Sequence, residues 1–88
     1  MTWKVEWDER ARKELRKLDH PAQLEILKYL RERIAGDEDP RRFGKQLLRD
    51  MKGLWRYRIG AYRLVCSIED FRLVVLVFKV GHRGKVYD

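Results

Sequence analysis

Eighty-eight residues allow one domain with one core, and a chain this short buries only about two thirds of its unfolded surface. Twenty-one Lys and Arg against fourteen Asp and Glu leave a net charge of +7 and a pI near 9.9, which favours a polyanionic partner: nucleic acid, an acidic protein segment or an anionic membrane. The single cysteine, Cys66, excludes a disulfide-stapled secreted scaffold and points to a reducing cytoplasm, while the charged opening MTWKVEWDER and the shortness of every apolar run exclude a signal peptide and a membrane helix.

Residues 2–7 alternate Trp3, Val5 and Trp7 with Thr2, Lys4 and Glu6, the period-two signature of a half-buried strand. Asp8 is placed to cap a helix in which Ala11, Leu15 and Leu18 recur at i, i+4 and i+7. Pro21, after Asp19 and His20, suits the first turn of a second helix that carries Leu24, Leu27, Leu30 and Ile34 and stops at Gly36. The pair reads as a helical hairpin whose other faces are solvated Arg, Lys and Glu. DEDPRRFGK, residues 37–45, is a loop by its Pro, Gly and charge, and Leu47 and Leu48 then lead to Gly53.

Three strands are predicted beyond it: LWRYRI at 54–59, YRLVCSI at 62–68 and FRLVVLVFKV at 71–80, joined by Gly60-Ala61 and Glu69-Asp70. Connections this short force antiparallel pairing, and glycine at the first turn position suits type II′. The predicted architecture is β-α-α-β-β-β, a single α+β domain over residues 1–88 with two N-terminal helices packed on a small twisted sheet and an antiparallel C-terminal meander.

A two-residue turn at Gly60-Ala61 sets Ile59 opposite Tyr62 and Arg58 opposite Arg63, with Arg56 two positions along the same face. Like charges placed directly opposite are destabilising. Either an anion belongs at this patch, or the arginines pair with helix carboxylates or extend to solvent. His20, His82 and Cys66 have no metal-ligand spacing, and neither a glycine-rich phosphate loop nor a nucleophile triad is present in the sequence, so no metal and no cofactor is expected. His82 is of a residue type that suits proton transfer, although a lone histidine at a chain end equally suits plain surface.

DERARKELRKLD near the start, the RxRIGxYRLV hairpin and VGHRxxVY at the end resemble, in order and spacing, the RelE branch of the RelE/ParE superfamily of toxin-antitoxin toxins. The resemblance spans essentially the whole chain. It implies a ribosome-dependent, metal-independent endoribonuclease that cuts mRNA in the decoding site, is held inactive by a cognate RelB-like antitoxin, and meets operator DNA only through that antitoxin. It further implies that Arg56 and Arg58 occupy strand positions where many relatives hold active-site lysines, and that Arg63 binds phosphate. Arg83 would then act on the leaving group and Tyr87 orient the bound base, with His82 and Lys85 contributing to substrate binding.

Cleavage of RNA by its own 2′-hydroxyl needs that hydroxyl activated, the phosphorane charge stabilised and the leaving 5′-oxygen protonated. Arginine as a residue type does not accept a proton near neutrality, so Arg56 and Arg58 are assigned charge stabilisation. Two other classes fit the composition. A ParE-like gyrase inhibitor uses the same fold without needing arginine and tyrosine together in the final motif, and a non-catalytic basic RNA- or ribosome-binding module predicts only salt-sensitive binding.

Overall fold

The computed structural model describes residues 2–48 and 51–82. Its sheet has five strands in the order β1-β5-β4-β3-β2, where β1 is Lys4–Trp7, β2 Lys45–Gln46, β3 Trp55–Ile59, β4 Tyr62–Glu69 and β5 Val74–His82. Strand β1 pairs with β5 in parallel, and every other pairing is antiparallel. Two helices, α1 (Glu9–Arg16) and α2 (His20–Tyr29), cross between the first strand and the rest. The α+β architecture is the predicted one, with the two-residue β2 added at the edge of the meander.

Both helices begin where an aspartate is free to accept backbone donors. Asp8 accepts from the Arg10 amide at 3.1 Å and Asp19 from the Ala22 amide at 2.9 Å, each satisfying a donor that the first turn cannot. The core lies between these helices and one face of the sheet. Ala11 and Leu15 from α1 and Ile26 from α2 meet Tyr57, Ile59, Leu64, Cys66, Val75, Val77 and Val80 there.

The buried stripe of the second helix is only partly the predicted one, with Leu30 and Ile34 buried as expected and Leu24 and Leu27 not. Ala22, Ile26 and Leu30 face inward at i, i+4 and i+8, and Leu24 and Leu27 are exposed. A period of 3.6 residues puts Leu24 across the helix from Ala22. Leu30–Ile34 then form one wide π turn closed by Ala35 N–H donating to Leu30 O at 2.8 Å, and this keeps Ile34 over the core at 1% exposure.

The β4–β5 connection is also longer than predicted. Glu69 is opposite Val74, so Asp70, Phe71, Arg72 and Leu73 form the turn and Phe71 is fully exposed instead of starting a strand. Arg72 holds it, donating to Glu69 at 2.7 Å and to Glu6 of β1 at 2.9 Å. Arg41 reaches the same turn through Asp70 at 2.7 Å.

Candidate functional site

The site is built on the β3–β4 hairpin. Gly60 has φ 58 and Ala61 has no positive φ, the pattern of a II′ turn that opens with glycine. The register that follows sets Ile59 opposite Tyr62 and Arg58 opposite Arg63, as the turn length predicts. Tyr57, Ile59, Leu64 and Cys66 point into the core, so the alternate positions Arg56, Arg58, Arg63 and Val65 belong to the face that carries no helix.

Pairing across the sheet extends this face into two rows. Lys45, Arg56, Val65 and Lys79 lie side by side in one, and Arg58, Arg63 and Gly81 in the next. Arg63 is buried at 6% exposure, Arg56 is half-buried and Arg58 is exposed. Among the described residues, five cations thus share one face around the apolar floor of Val65, which packs with Leu47, Met51 and Leu54.

Sequence reasoning missed Lys45 and Lys79. The signal for Lys79 is a break in alternation: Val75 and Val77 are core residues, and the next core residue is Val80. A β-bulge opposite Val65/Cys66 accommodates Phe78 as the extra residue, which turns Lys79 and Gly81 onto the cationic face. Bulges re-aim side chains in this way. Lys45 was hidden in a stretch whose loop composition gave no sign of the pairing with Arg56.

His82 lies opposite Tyr62, with the rings edge to face at 5.2 Å. Its register places it with Ile59 and Tyr62 on the helix side of the sheet, across the strand from the arginines. The structure therefore brings Arg56, Arg58 and Arg63 together and sets His82 apart at the end of β5. Arg83, Lys85 and Tyr87 lie outside the described residues. Within the described residues, Glu14 of α1 holds the later part of β5. Pairing between β1 and β5 ends at Trp7 and Val77, and beyond it Glu14 Oε1 accepts the Val80 amide at 2.9 Å, occupying the place a further β1 residue would take.

A cleft of about 290 Å³ lies between α2 and the turn, lined by Glu25, Lys28, Tyr29, Glu32 and Arg33 and by Arg58 of β3. Burial raises the phenol pKa of Tyr29, and the nearby Arg33 guanidinium partly opposes that rise. Among the described residues, no group of three or more His, Cys, Asp or Glu side chains gathers as a metal-ligand set.

Comparison with known proteins agrees with this architecture. Residues 5–87 match the family described as ParE toxin of type II toxin-antitoxin system, parDE. The chain is 35% identical to Toxin RelG of Mycobacterium tuberculosis, over 99% of this chain and 98% of that one. It is likewise 35% identical to the mRNA interferase toxin RelE of Escherichia coli, over 100% and 93% of the two chains. The toxin-antitoxin complex RelBE2 of Mycobacterium tuberculosis contains a chain that superposes with a TM-score of 0.85 at 28% identity, covering 97% of this chain and 95% of that one. A helical hairpin on a mixed sheet is thus a fold this chain shares with type II toxins. The chain belongs to the RelE/ParE toxin superfamily.

Proposed function

We propose that this toxin is a ribosome-dependent mRNA endoribonuclease of the RelE type, acting in the cytoplasm and neutralised by a RelB-like antitoxin. The observation that carries this reading is the Arg58–Arg63 pair, two like charges set opposite each other on the helix-free face with Arg56 beside them. Like charges set opposite each other are unfavourable by themselves, and a bound polyanion suits them. The RelE relative named an mRNA interferase supports the substrate class, and the RelBE2 complex supports the kind of partner.

In this reading the RNA backbone crosses the cationic face. Arg63, whose burial limits its motion, and Arg58 stabilise charge on the phosphorane. Arg56 holds the neighbouring phosphate. Arg83 acts on the leaving 5′-oxygen and Tyr87 stacks on the base, with His82 and Lys85 completing the substrate contacts. The attacking group is the substrate's own 2′-hydroxyl, and the product is a 2′,3′-cyclic phosphate with a 5′-hydroxyl on the downstream fragment. No metal or cofactor enters the scheme.

The test is incubation with translating ribosomes followed by mapping of new mRNA 5′ ends, beside a DNA gyrase supercoiling assay. New ends produced by wild type and reduced at least about tenfold by Arg63→Ala are expected, equal to about 1.4 kcal/mol of barrier. Gyrase inhibition without new ends would overturn the nuclease reading in favour of a ParE-type target.

A further inference from the structure

Among the described residues, three arginines outside the hairpin meet aromatic rings. The Arg33 guanidinium lies 5.6 Å from the centroid of the Tyr29 ring and 5.3 Å from that of Phe43. Arg42 lies 4.7 Å from the same Phe43 ring. Tyr29, Arg33, Phe43 and Arg42 thus alternate ring and cation across the surface joining α2 to the 3-10 turn Pro40–Phe43. Arg33, Arg42 and Phe43 are exposed. The third arginine, Arg41, lies 5.8 Å from the Trp55 ring and is committed to Asp39 and Asp70.

This ladder is fixed to the core from below. The buried Tyr57 hydroxyl donates to Pro40 O at 2.6 Å. A Cβ on Gly44 would lie 3.1 Å from the Tyr57 ring and 3.3 Å from that of Trp55, so the segment carrying Arg42 and Phe43 sits close against β3. The ladder is also continuous with the candidate active site, because Tyr29 and Arg33 line the same cleft as Arg58.

We propose that the Tyr29–Arg33–Phe43–Arg42 ladder is a second binding site for single-stranded RNA, taking a stretch of the strand outside the part held at the hairpin arginines. The chemistry is that of sequence-tolerant single-strand binding, in which bases stack on rings or guanidinium planes while cations follow the phosphates. Arg42 now pairs with Glu38 at 3.0 Å on an exposed surface, a weak contact that a phosphate readily displaces. Glu25 and Glu32 in the cleft repel phosphate but accept hydrogen bonds from exocyclic amino groups, so bases face the cleft and the backbone faces solvent. The inference rests on the RNA-cutting reading for the direction of the strand, and its test does not depend on cleavage.

The experiment is equilibrium binding of 2′-O-methyl RNA, which its own 2′-hydroxyl cannot cut, to the full chain at low salt. Two lengths are used, roughly 4 and roughly 12 nucleotides, bracketing the site sizes of single-strand binding domains. Phe43→Ala and Arg33→Ala are each expected to weaken the long RNA about fivefold or more and to leave the short one, held at the hairpin, within about twofold. Arg33→Lys keeps the charge without the planar stack and is expected to recover only part of the loss. Circular dichroism confirms folding of each variant. Unchanged long-RNA affinity in both alanine variants, or no saturable binding by wild type, overturns the proposal. So does a loss confined to antitoxin binding, which would make the ladder a protein contact. A toxin that binds through the ladder and fails to cut mRNA on ribosomes would overturn the nuclease reading while leaving the ladder intact.

Discussion

Arg58 illustrates a conflict between stability and function at the scale of one residue. It is exposed and lies directly opposite Arg63, and like charges in that position are destabilising, on the order of the 0.2–1 kcal/mol that favourable cross-strand pairs contribute. Arg58→Ala should therefore fold as stably as wild type, or up to about 0.5 kcal/mol more stably in urea unfolding, while ribosome-dependent cleavage falls about tenfold or more. Loss of both together would assign Arg58 to packing. Buried groups also shape the alkaline limit. Burial raises the pKa of the Cys66 thiol and of the Tyr57 phenol, so the folded chain keeps protons that the unfolded chain releases. Their contribution is intact below the ordinary thiol range and is lost as pH rises: urea stability should decline above about pH 9, by at most about 1.4 kcal/mol per pH unit for each group. Cys66→Ala should make the first part of that decline shallower and leave the part belonging to tyrosine.

At the scale of elements, the β3–β4 turn and α2 constrain each other. Gly60 combines φ 58 with a position where a Cβ would lie 2.7 Å from Glu25 Oε2. Gly60→Ala is expected to cost about 1–2 kcal/mol, from left-handed backbone and crowding together. In a Glu25→Ala background the crowding disappears and the cost should fall towards the backbone part, about 1 kcal/mol, so a double-mutant cycle in urea separates the two. Equal costs in both backgrounds would show that Glu25 moves away freely. This hairpin was also the part most legible in sequence, because one glycine fixed the turn and the turn fixed which arginines meet. The second hairpin was misread for the opposite reason. Its four-residue turn depends on Arg72 reaching Glu69 and the distant Glu6, and Leu73 adopts φ 54 with no glycine to announce it. The bulge at Phe78 and the brief pairing of Lys45 with Arg56 are tertiary outcomes of the same kind, which is why two of the five cations escaped the sequence reading.

Over the whole molecule, strand order and chain order disagree. Strand β5 is the last described element along the chain, yet it lies between β1 and β4 and is the partner of both. Val75 and Val77 stand in the core beside Ala11 and Leu15 of α1. A chain ending at Leu73 would leave β1 with no strand partner and the helices with half a floor, and circular dichroism of that fragment should show no cooperative thermal transition. A sharp transition there would mean that the helical hairpin and the β3–β4 hairpin suffice.

That same parallel pairing has a consequence for the time course of synthesis. Lys4 is opposite Val74 and Trp7 opposite Val77, contacts that close nearly the full length of the chain and are slow to form for that reason. A growing chain emerges from the ribosome first residue first, so β1 and the helices leave before the β5 strand that completes the parallel pairing. The parallel β1–β5 pairing is thus among the last contacts to close. For that interval the toxin's apolar face is open to whatever binds first, and an antitoxin already present meets a chain that has not yet acquired the shape it must restrain.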